Sequence, residues 1–535
     1  MPLGNEHKAA NVSVSSRRQH LLNGLLCLLA LTVLALSVEA IRDLLVIVTV
    51  VVIAQRLHWK PVATTVGLTA GLLITLVLLT AIADQTFDYF FARPLELKYD
   101  LFLLPALWDL LEDSSGTLTA AMYTSLLVAL ILLFAWVFHR LLNYSIASLQ
   151  FLHTPVLALV FLGAYLLAIP GSFRSLAIAN GVAGAYQVAK GDDEFERVLV
   201  SARQELLALP SDLDRLNGQD FLFFFIESYG RLLWDDPDLR GGFLDRLKHY
   251  DDELQAAGYY TSSRFLESTT FAGASWVAHM SVMSGVECRN TVHWKRLLNS
   301  RVRPLSDYFR AQSYRTVSVM PAMDLNEWPE GEYFGFTQNV WAAELDYSGP
   351  RYGWSPMPDQ FVLLRFDQLA LEQSAKPVFA EISLTSSHAP FSQVPAFHSG
   401  AWKLDELNKT LATKKPSRDR SIWQNQSATN YASAIDYSLA SVMQFLVREY
   451  SRQGVLLILG DHQASKAVHR VDSDALGHRF HVPLHMVTRD RELHEGLLAL
   501  GFSAGLSPHE NSDALPMSEL KKFFLNLFHS PGVTL

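Results

Sequence analysis

Hydrophobic and polar positions divide the chain into two unlike parts near residue 170. Before it, uncharged apolar stretches run from Leu21 to Val38, Pro61 to Ala83, Thr117 to Phe138 and Phe151 to Ile169. Each approaches the ~20 residues a helix needs to cross a bilayer core. A fifth stretch, "LLVIVTVVVIA" from Leu44 to Ala54, is shorter and comes after Arg42 and Asp43. The pattern predicts an N-terminal transmembrane helix bundle of about five spans over 1–170. A cleavable leader fits only the first stretch, and the apolar segments after it predict a retained anchor.

After "AIPGSFRS" the composition turns mixed polar. Phe195, Val198, Leu199, Ala202, Leu206 and Leu209 fall on one face at helical spacing before Pro210, so 171–214 reads as an amphipathic helical linker packed on the C-terminal domain. From residue 221, short apolar runs ("FLFFFIE", "RTVSVM", "PVFAEISL", "VLLILGD") alternate with helical stretches such as "LSDYFRAQSY" and "ASAIDYSLASVMQFLVREY". That alternation predicts an α/β domain over 215–535 with a mainly parallel central sheet covered on both faces. Ligands of such sheets bind at the carboxyl ends of the strands. Residues 401–428, "AWKLDELNKTLATKKPSRDRSIWQNQSA", read as a polar insertion or exposed loop.

Charge settles orientation, because short loops rich in Lys and Arg stay on the cytoplasmic side. With five spans, the cytoplasmic segments carry Lys8, Arg17, Arg18, Arg56, Lys60 and Arg140. The opposite loops carry Arg42, Arg93 and Lys98, diluted by Asp43, Asp84, Asp88, Glu96 and Asp100. The C-terminal two-thirds then faces outward; without the short span it would face the cytoplasm. A net charge of -9 with no basic block gives no footprint for nucleic acid. Cys27 lies in the first span and Cys288 in the later part, so no intramolecular disulfide framework is expected.

Three predicted strands end in residues able to bind metal: "FLFFFIES" at Glu227, "VFAEISLTSSH" at His388, and "GVLLILGDHQ" at Asp461 and His462. Adjacent Asp and His at a buried strand end can offer one cation a carboxylate oxygen and an imidazole nitrogen, donors suited to zinc or manganese. Equally, such an Asp can cap a turn beside a surface His, and Glu227 alone can be an ordinary strand-end residue.

Taken in order, "FIES", "TTFAGASW", "RTVSVM", "SLTSSHAPF", "YASAIDYS" and "LGDHQ" followed by "GHRFHVPL" resemble the sulfatase and alkaline phosphatase superfamily. The likeness is closest to its membrane-anchored phosphotransferases: lipoteichoic acid synthases, lipid A phosphoethanolamine transferases and periplasmic glucan phosphoglycerol transferases. It extends over residues 215–530. The resemblance implies a sulfatase-like fold behind a membrane anchor in the bacterial plasma membrane, facing the periplasm or cell exterior. It implies a divalent ion, zinc or manganese with magnesium as a further choice, held by Glu227, Asp461 and His462 with the nucleophile's oxygen. His388 and His478 are then similar to the histidines that hold the substrate phosphate or serve the leaving group. The implied partners are a membrane phospholipid donor and an envelope glycan or lipid acceptor.

The nucleophile of the sulfatase signature lies nine residues before a Thr or Ser followed by Gly. Counting back from Ser284 of "SVMSG" reaches Ser275, and Thr270 is the other candidate, since related transferases use threonine. Ser275 also suits the helix N-cap before "WVAHMSVM". Conversion to formylglycine is not expected, because Val277 and His279 stand where its maturation signature has Pro or Ala and Arg. Tyr229, Trp276, Tyr352 and Trp354 could line a head-group pocket or simply pack, and Glu267 could meet an ethanolamine ammonium or sit in solvent. The leading expectation is a phosphoglycerol or phosphoethanolamine transferase working through a phospho-serine or phospho-threonine. A phosphate or sulfate ester hydrolase, and a retired membrane-anchored binding protein, are the alternatives.

Overall fold

The structure, a computed structural model, describes residues 60–91, 116–148, 194–323, 329–400, 402–412, 427–473 and 475–530, with Leu95, Asp100, Trp108 and 111–112 between the first two segments. The chain divides into two compact units, 1–89 with 93–191 and 90–92 with 192–535.

In the first unit, α1 (Lys60–Phe91) and α2 (Thr117–Ser148) are long helices. Among the described residues, Thr117–Arg140 is the one helix long and apolar enough to cross a membrane. Its Leu118, Leu126, Leu132 and Trp136 are more than half exposed, so it has no polar face to offer water. The predicted stretch Pro61–Ala83 lies within α1, whereas Leu21–Val38, Leu44–Ala54 and Phe151–Ile169 lie outside the described residues. A Cβ at Gly71 would stand 2.5 Å from the Ala135 carbonyl oxygen. The missing side chain lets α1 and α2 approach closely, as small residues do where apolar helices pack.

The second unit opens with α3, residues 194–207. Its Phe195, Leu199 and Leu206 are buried in the core that holds Phe221, Phe223 and Phe225, while Val198 is 42% exposed. The predicted apolar face is therefore real and narrower than the sequence pattern draws it. Among the described residues, nine strands form one sheet: β1 (Asp220–Ile226), β2 (Tyr260–Glu267), β3 (Arg315–Met320), β4 (Gln338–Trp341), β5 (Val378–Leu384), β6 (Gly454–Gly460), β7 (His481–Thr488) and the short β8 (Ser503–Ala504) and β9 (Leu515–Pro516). The order is β4-β3-β5-β1-β6-β7-β2-β8, with β9 against β2. Neighbours from β4 to β6 are all parallel, and β7 and β8 pair antiparallel.

All of β1 is buried, which explains its unbroken apolar run: Leu222, Phe224 and Ile226 enter one core, Phe221, Phe223 and Phe225 the other. Pro237–Ala256 and Ala428–Arg448 cover the first face, and Ser275–Ser284 and Leu520–Leu527 the second. The sequence pattern finds the parallel strands and passes over β2, whose "YTSSRFLE" carries hydroxyls and Arg264. It also misjudges 401–428: Leu404–Ala412 is a helix whose Leu407 and Leu411 are fully buried, not an exposed loop. Residues 413–426 lie outside the described residues.

Register fixes what happens at the sheet's carboxyl edge. Ile226 lies level with Leu384 on β5 and Gly460 on β6, so Glu227, Thr385 and Asp461 emerge side by side. A Cβ at Gly460 would stand 1.9 Å from the Tyr229 carbonyl oxygen, so glycine is required for the β1 loop to fold over β6. The opposite edge is clamped by Asp220, buried to 1%. Its carboxylate accepts from Arg452 Nε at 2.6 Å and Nη2 at 2.9 Å, from Tyr450 Oη at 3.0 Å and from the Val378 N–H at 2.7 Å. One side chain thereby ties the amino ends of β1, β5 and β6.

Removing one member of such a pair leaves the other charge without its partner, a loss of about 3–5 kcal/mol. Asp220→Ala is expected to lower the thermal midpoint of the second unit sharply, followed by near-UV circular dichroism of the full chain; an unchanged midpoint would show that the clamp is not needed.

Candidate metal centre and active site

Glu227, Asp461 and His462 each follow a buried strand, and one ligand atom from each lies within 4.8 Å of the others. His462 Nε2 stands 3.1 Å from Glu227 Oε1 and 3.7 Å from Asp461 Oδ2. The other ring nitrogen, Nδ1, is 2.8 Å from the Gln463 carbonyl oxygen, which can only accept. Nδ1 therefore carries a hydrogen, and Nε2 is directed at the carboxylates, free to ligate an ion once its own proton is lost. Two carboxylates and an oriented imidazole nitrogen are a donor set that fits zinc or manganese.

The surroundings fix those donors. Asp461 Oδ1 accepts from the backbone N–H of Ser228 at 2.8 Å and of His462 at 2.7 Å. Ser228 reaches that position with φ 60, and Tyr431 Oη holds the turn by donating to Ser228 O and accepting from the Gly230 N–H. Ser387 Oγ donates to Glu227 O at 2.6 Å. Ser228, Ser387, Tyr431 and Gln463 all lie in the motifs noted above, but the sequence alone gives none of them a supporting role.

Ser275 joins the cluster: its Oγ donates to Glu227 Oε2 at 3.0 Å and lies 3.3 Å from His462 Nε2. It is the first residue of the helix Ser275–Ser284, not its N-cap as expected; Ala274 occupies that place with φ 62 and no capping side chain. Ala272 (φ 59), Gly273 (φ 149) and Ala274 make three consecutive residues at positive φ. For the two alanines this costs about 1–2 kcal/mol each. The Ala272 N–H donates to Gln463 O at 3.0 Å, so the strained turn hangs on the carbonyl that also orients His462. The helix is held at its far end by Lys521, fully buried, whose Nζ donates to Ser284 O at 3.0 Å and to Arg303 O. Burial pushes this ammonium down to about 7. One turn after Ser275, buried His279 bonds Glu381 Oε1 through Nδ1 at 2.7 Å and stacks on Phe225.

The other expected site residues divide. His388 Nδ1 bonds the Ala389 carbonyl at 2.9 Å, its ring stacks on Trp354, and its charge bears on Glu227. Thr270 is buried with Oγ1 lacking any hydrogen-bond partner, and it bonds none of the three ligands. His478 Nδ1 bonds Asp235 Oδ2 at 2.9 Å, away from the ligand cluster's own bonds. Tyr229 is fully buried in the core with its Oη 2.9 Å from His485 Nε2, so it lines no head-group pocket. Trp276 is 41% exposed beside Ser275, and Glu267 is exposed at the end of β2.

Burial works against every charge here. It lowers His462, but Asp461 and Glu227 outweigh it and push the imidazole up to about 9. Burial and then the Glu227 charge push Asp461 up to about 6. For Glu227 burial is outweighed by His462 and His388, which hold it well below the usual carboxylate range. The split between the carboxylates follows distance: Glu227 is nearer the imidazole, and Asp461 carries the repulsion.

No protein-family model and no curated protein sequence matches the chain. In three dimensions it is similar to a lipoteichoic acid synthase from Listeria monocytogenes (13% identity, 58% of this chain and 72% of that one, TM-score 0.37). It is similar to the C-terminal periplasmic domain of EcEptC from Escherichia coli in complex with zinc (13% identity, 58% and 82%, TM-score 0.37). It is also similar to the phosphoglycerol transferase GacH from Streptococcus pyogenes (13% identity, 63% and 88%, TM-score 0.38). These structures belong to the sulfatase and alkaline phosphatase superfamily.

Metal ligands bind deprotonated, so ion binding must expel the proton on His462. Zinc binding to metal-free full-length protein is expected to release one proton between pH about 6 and 9, with affinity falling about tenfold per unit fall in pH. Below about 6 a second proton, from Asp461, should steepen the fall. Calorimetry in buffers of different ionisation enthalpy reads this directly, and a pH-independent affinity across neutrality would remove His462 from the ligand set.

Proposed function

We propose that the chain is a metal-dependent phosphotransferase, anchored in the bacterial plasma membrane by several spans with its α/β domain outside. It would move phosphoglycerol or phosphoethanolamine from a phospholipid to an envelope glycan or lipid alcohol. The observation that carries the reading is Ser275 Oγ, 3.0 Å from Glu227 Oε2 and 3.3 Å from His462 Nε2 at a helix start. A hydroxyl held among buried metal-type donors is how an alcohol becomes a nucleophile at neutral pH. The apolar helix Thr117–Arg140 and the ordered motifs resembling membrane-anchored phosphotransferases support the lipid donor.

Glu227, Asp461 and His462 would hold the divalent ion, which when bound supplies positive charge that lowers the pKa of a nearby hydroxyl and offsets the charge of phosphoryl oxygens. Ser275 Oγ, held at Glu227 Oε2, loses its hydrogen to solvent and attacks phosphorus of the phosphodiester. The Oγ–P bond forms and the P–O bond to diacylglycerol breaks. That oxygen takes a proton from a histidine Nε2, the role assigned to His388 or His478. An acceptor alcohol then gives its proton to the same nitrogen and attacks phosphorus, the Oγ–P bond breaks, and Ser275 Oγ takes a proton back from solvent. The helix start favours the phosphoryl group in both steps through its unpaired N–H groups and dipole.

Incubating the full-length protein with phosphatidylglycerol or phosphatidylethanolamine, followed by mass analysis, is expected to place the head-group phosphate on the peptide bearing Ser275. Ser275→Ala should lose the adduct and at least ~10³-fold in turnover while keeping its thermal midpoint. An adduct on Thr270 would move the nucleophile there. Release of free head-group phosphate at the same rate with and without an acceptor alcohol would make the protein a hydrolase.

A further inference from the structure

The loop that carries Glu227 continues through Arg231 into the short helix Leu232–Asp235, and there it meets the loop that carries His478. Asp235 Oδ2 lies 2.9 Å from His478 Nδ1, and Oδ1 lies 3.3 Å from Arg231 Nε. A carboxylate oxygen can only accept, so His478 carries a hydrogen on Nδ1, and Nε2 is the nitrogen left to exchange a proton. Nε2 has no bonding partner among the described residues, and the side chain is 22% exposed against 8% for Asp235. Arg231 is itself locked: buried to 3%, it donates from Nη2 to Glu510 O at 2.7 Å, lies 3.3 Å from His481 Nδ1 through Nη1, and stacks over Phe265 at 4.2 Å.

The pair is tied to the metal-type cluster by one amide. Gln463, next to His462, accepts from the Leu232 N–H at 3.0 Å and donates from Nε2 to His478 O at 2.9 Å. Gly230 makes room for it, since a Cβ there would stand 2.1 Å from Gln463 Oε1. Both halves of the Asp235–His478 pair therefore take their position from the residue adjoining a ligand. A merely structural bond between two loops would need neither a buried arginine on the far carboxylate oxygen nor an open Nε2.

We propose that Asp235 is a positioning residue that fixes His478 in its Nδ1–H form and aims Nε2 at the phosphoryl group, with Arg231 holding the carboxylate's other oxygen. The arrangement follows the logic by which a buried carboxylate sets the tautomer of a general acid–base histidine. It rests on the phosphotransferase reading for its consequence, though not for the tautomer itself. Entering the cycle with a hydrogen on each nitrogen, His478 gives the one on Nε2 to the departing glyceride oxygen, is left in the Nδ1–H form, and recovers one from the acceptor alcohol, so its own proton count closes over a cycle while Asp235 exchanges none.

The test uses the full-length zinc-loaded protein in detergent, with phosphatidylglycerol micelles as donor and glycerol as acceptor. Asp235→Asn, which keeps the shape and removes the charge, is expected to lower kcat by ~10²–10⁴-fold with KM within about threefold. Zinc content should stay unchanged, His478→Ala added to it should cost little more, and Asp235→Glu should restore part of the rate. Nitrogen-15 spectra of histidine-labelled protein should show the hydrogen on Nδ1 of His478 in the parent and on Nε2, or on both in exchange, in Asp235→Asn. A rate within threefold of the parent, a loss that tracks zinc content, or an unchanged tautomer overturns the proposal. If the parent itself turns over neither lipid, the phosphotransferase reading fails, and the tautomer spectra alone still decide the role of Asp235.

Discussion

Everything at the carboxyl edge of the sheet follows from two acids that burial forces together. Glu227 and Asp461 end adjacent parallel strands in register, and neither has water enough to hold a full charge on its own. A buried charge survives only when paired and hydrogen-bonded. In the protein alone that pairing comes from His462, which answers one carboxylate better than the other. The arrangement is unbalanced by one negative charge, and a divalent cation is the partner whose charge and donor preference suit it. The buried core strands, the clamp at Asp220 and the glycine at 460 all hold that imbalance in place.

A second constraint acts on the hydroxyl. The chain enters the helix at Ser275 through three residues at positive φ, two of them alanines. Strain of this kind persists only where the surroundings over-determine it. Here Gln463 supplies the restraint on one side, while Lys521 and the His279–Glu381 pair fix the same helix further along. The residue after the metal-type ligands thus sets the imidazole, the serine turn and the His478 loop together.

How much of this the sequence discloses depends on the range of each interaction. Strand ends that carry the ligands are legible because unbroken apolar runs that stop at Glu and at Asp-His mark metal-type donors at strand ends, and parallel neighbours bring such ends to one edge of the sheet. Ser275 is reachable by its spacing to Ser284, but its true place at the first helical turn is not, because alanine at 272 and 274 gives no sign of left-handed backbone. The strand at Tyr260 is hidden by its hydroxyls, whose partners, His494, His485 and Gly505, lie more than 200 residues away. The helix at Leu404 is hidden by the charges around its two buried leucines. Tyr229, beside the site in sequence, turns inward because the glycine at 460 lets its carbonyl lie against β6.

Three histidines converge on one design, and the differences among them carry the chemistry. His462, His388 and His478 all have Nδ1 bonded to an oxygen that only accepts, which leaves Nε2 to meet a ligand or substrate. For His462 and His388 that oxygen is a backbone carbonyl, neutral and fixed, sufficient to orient a ring. For His478 it is a carboxylate, which orients the ring and would also offset positive charge formed on it in a proton transfer. A ring that must only coordinate gains nothing from such a charge, whereas a ring that gains and loses a proton in each cycle is steadied by it. On the phosphotransferase reading, the chemical identity of the Nδ1 partner separates His478, suited to proton transfer, from His462 and His388, suited to holding.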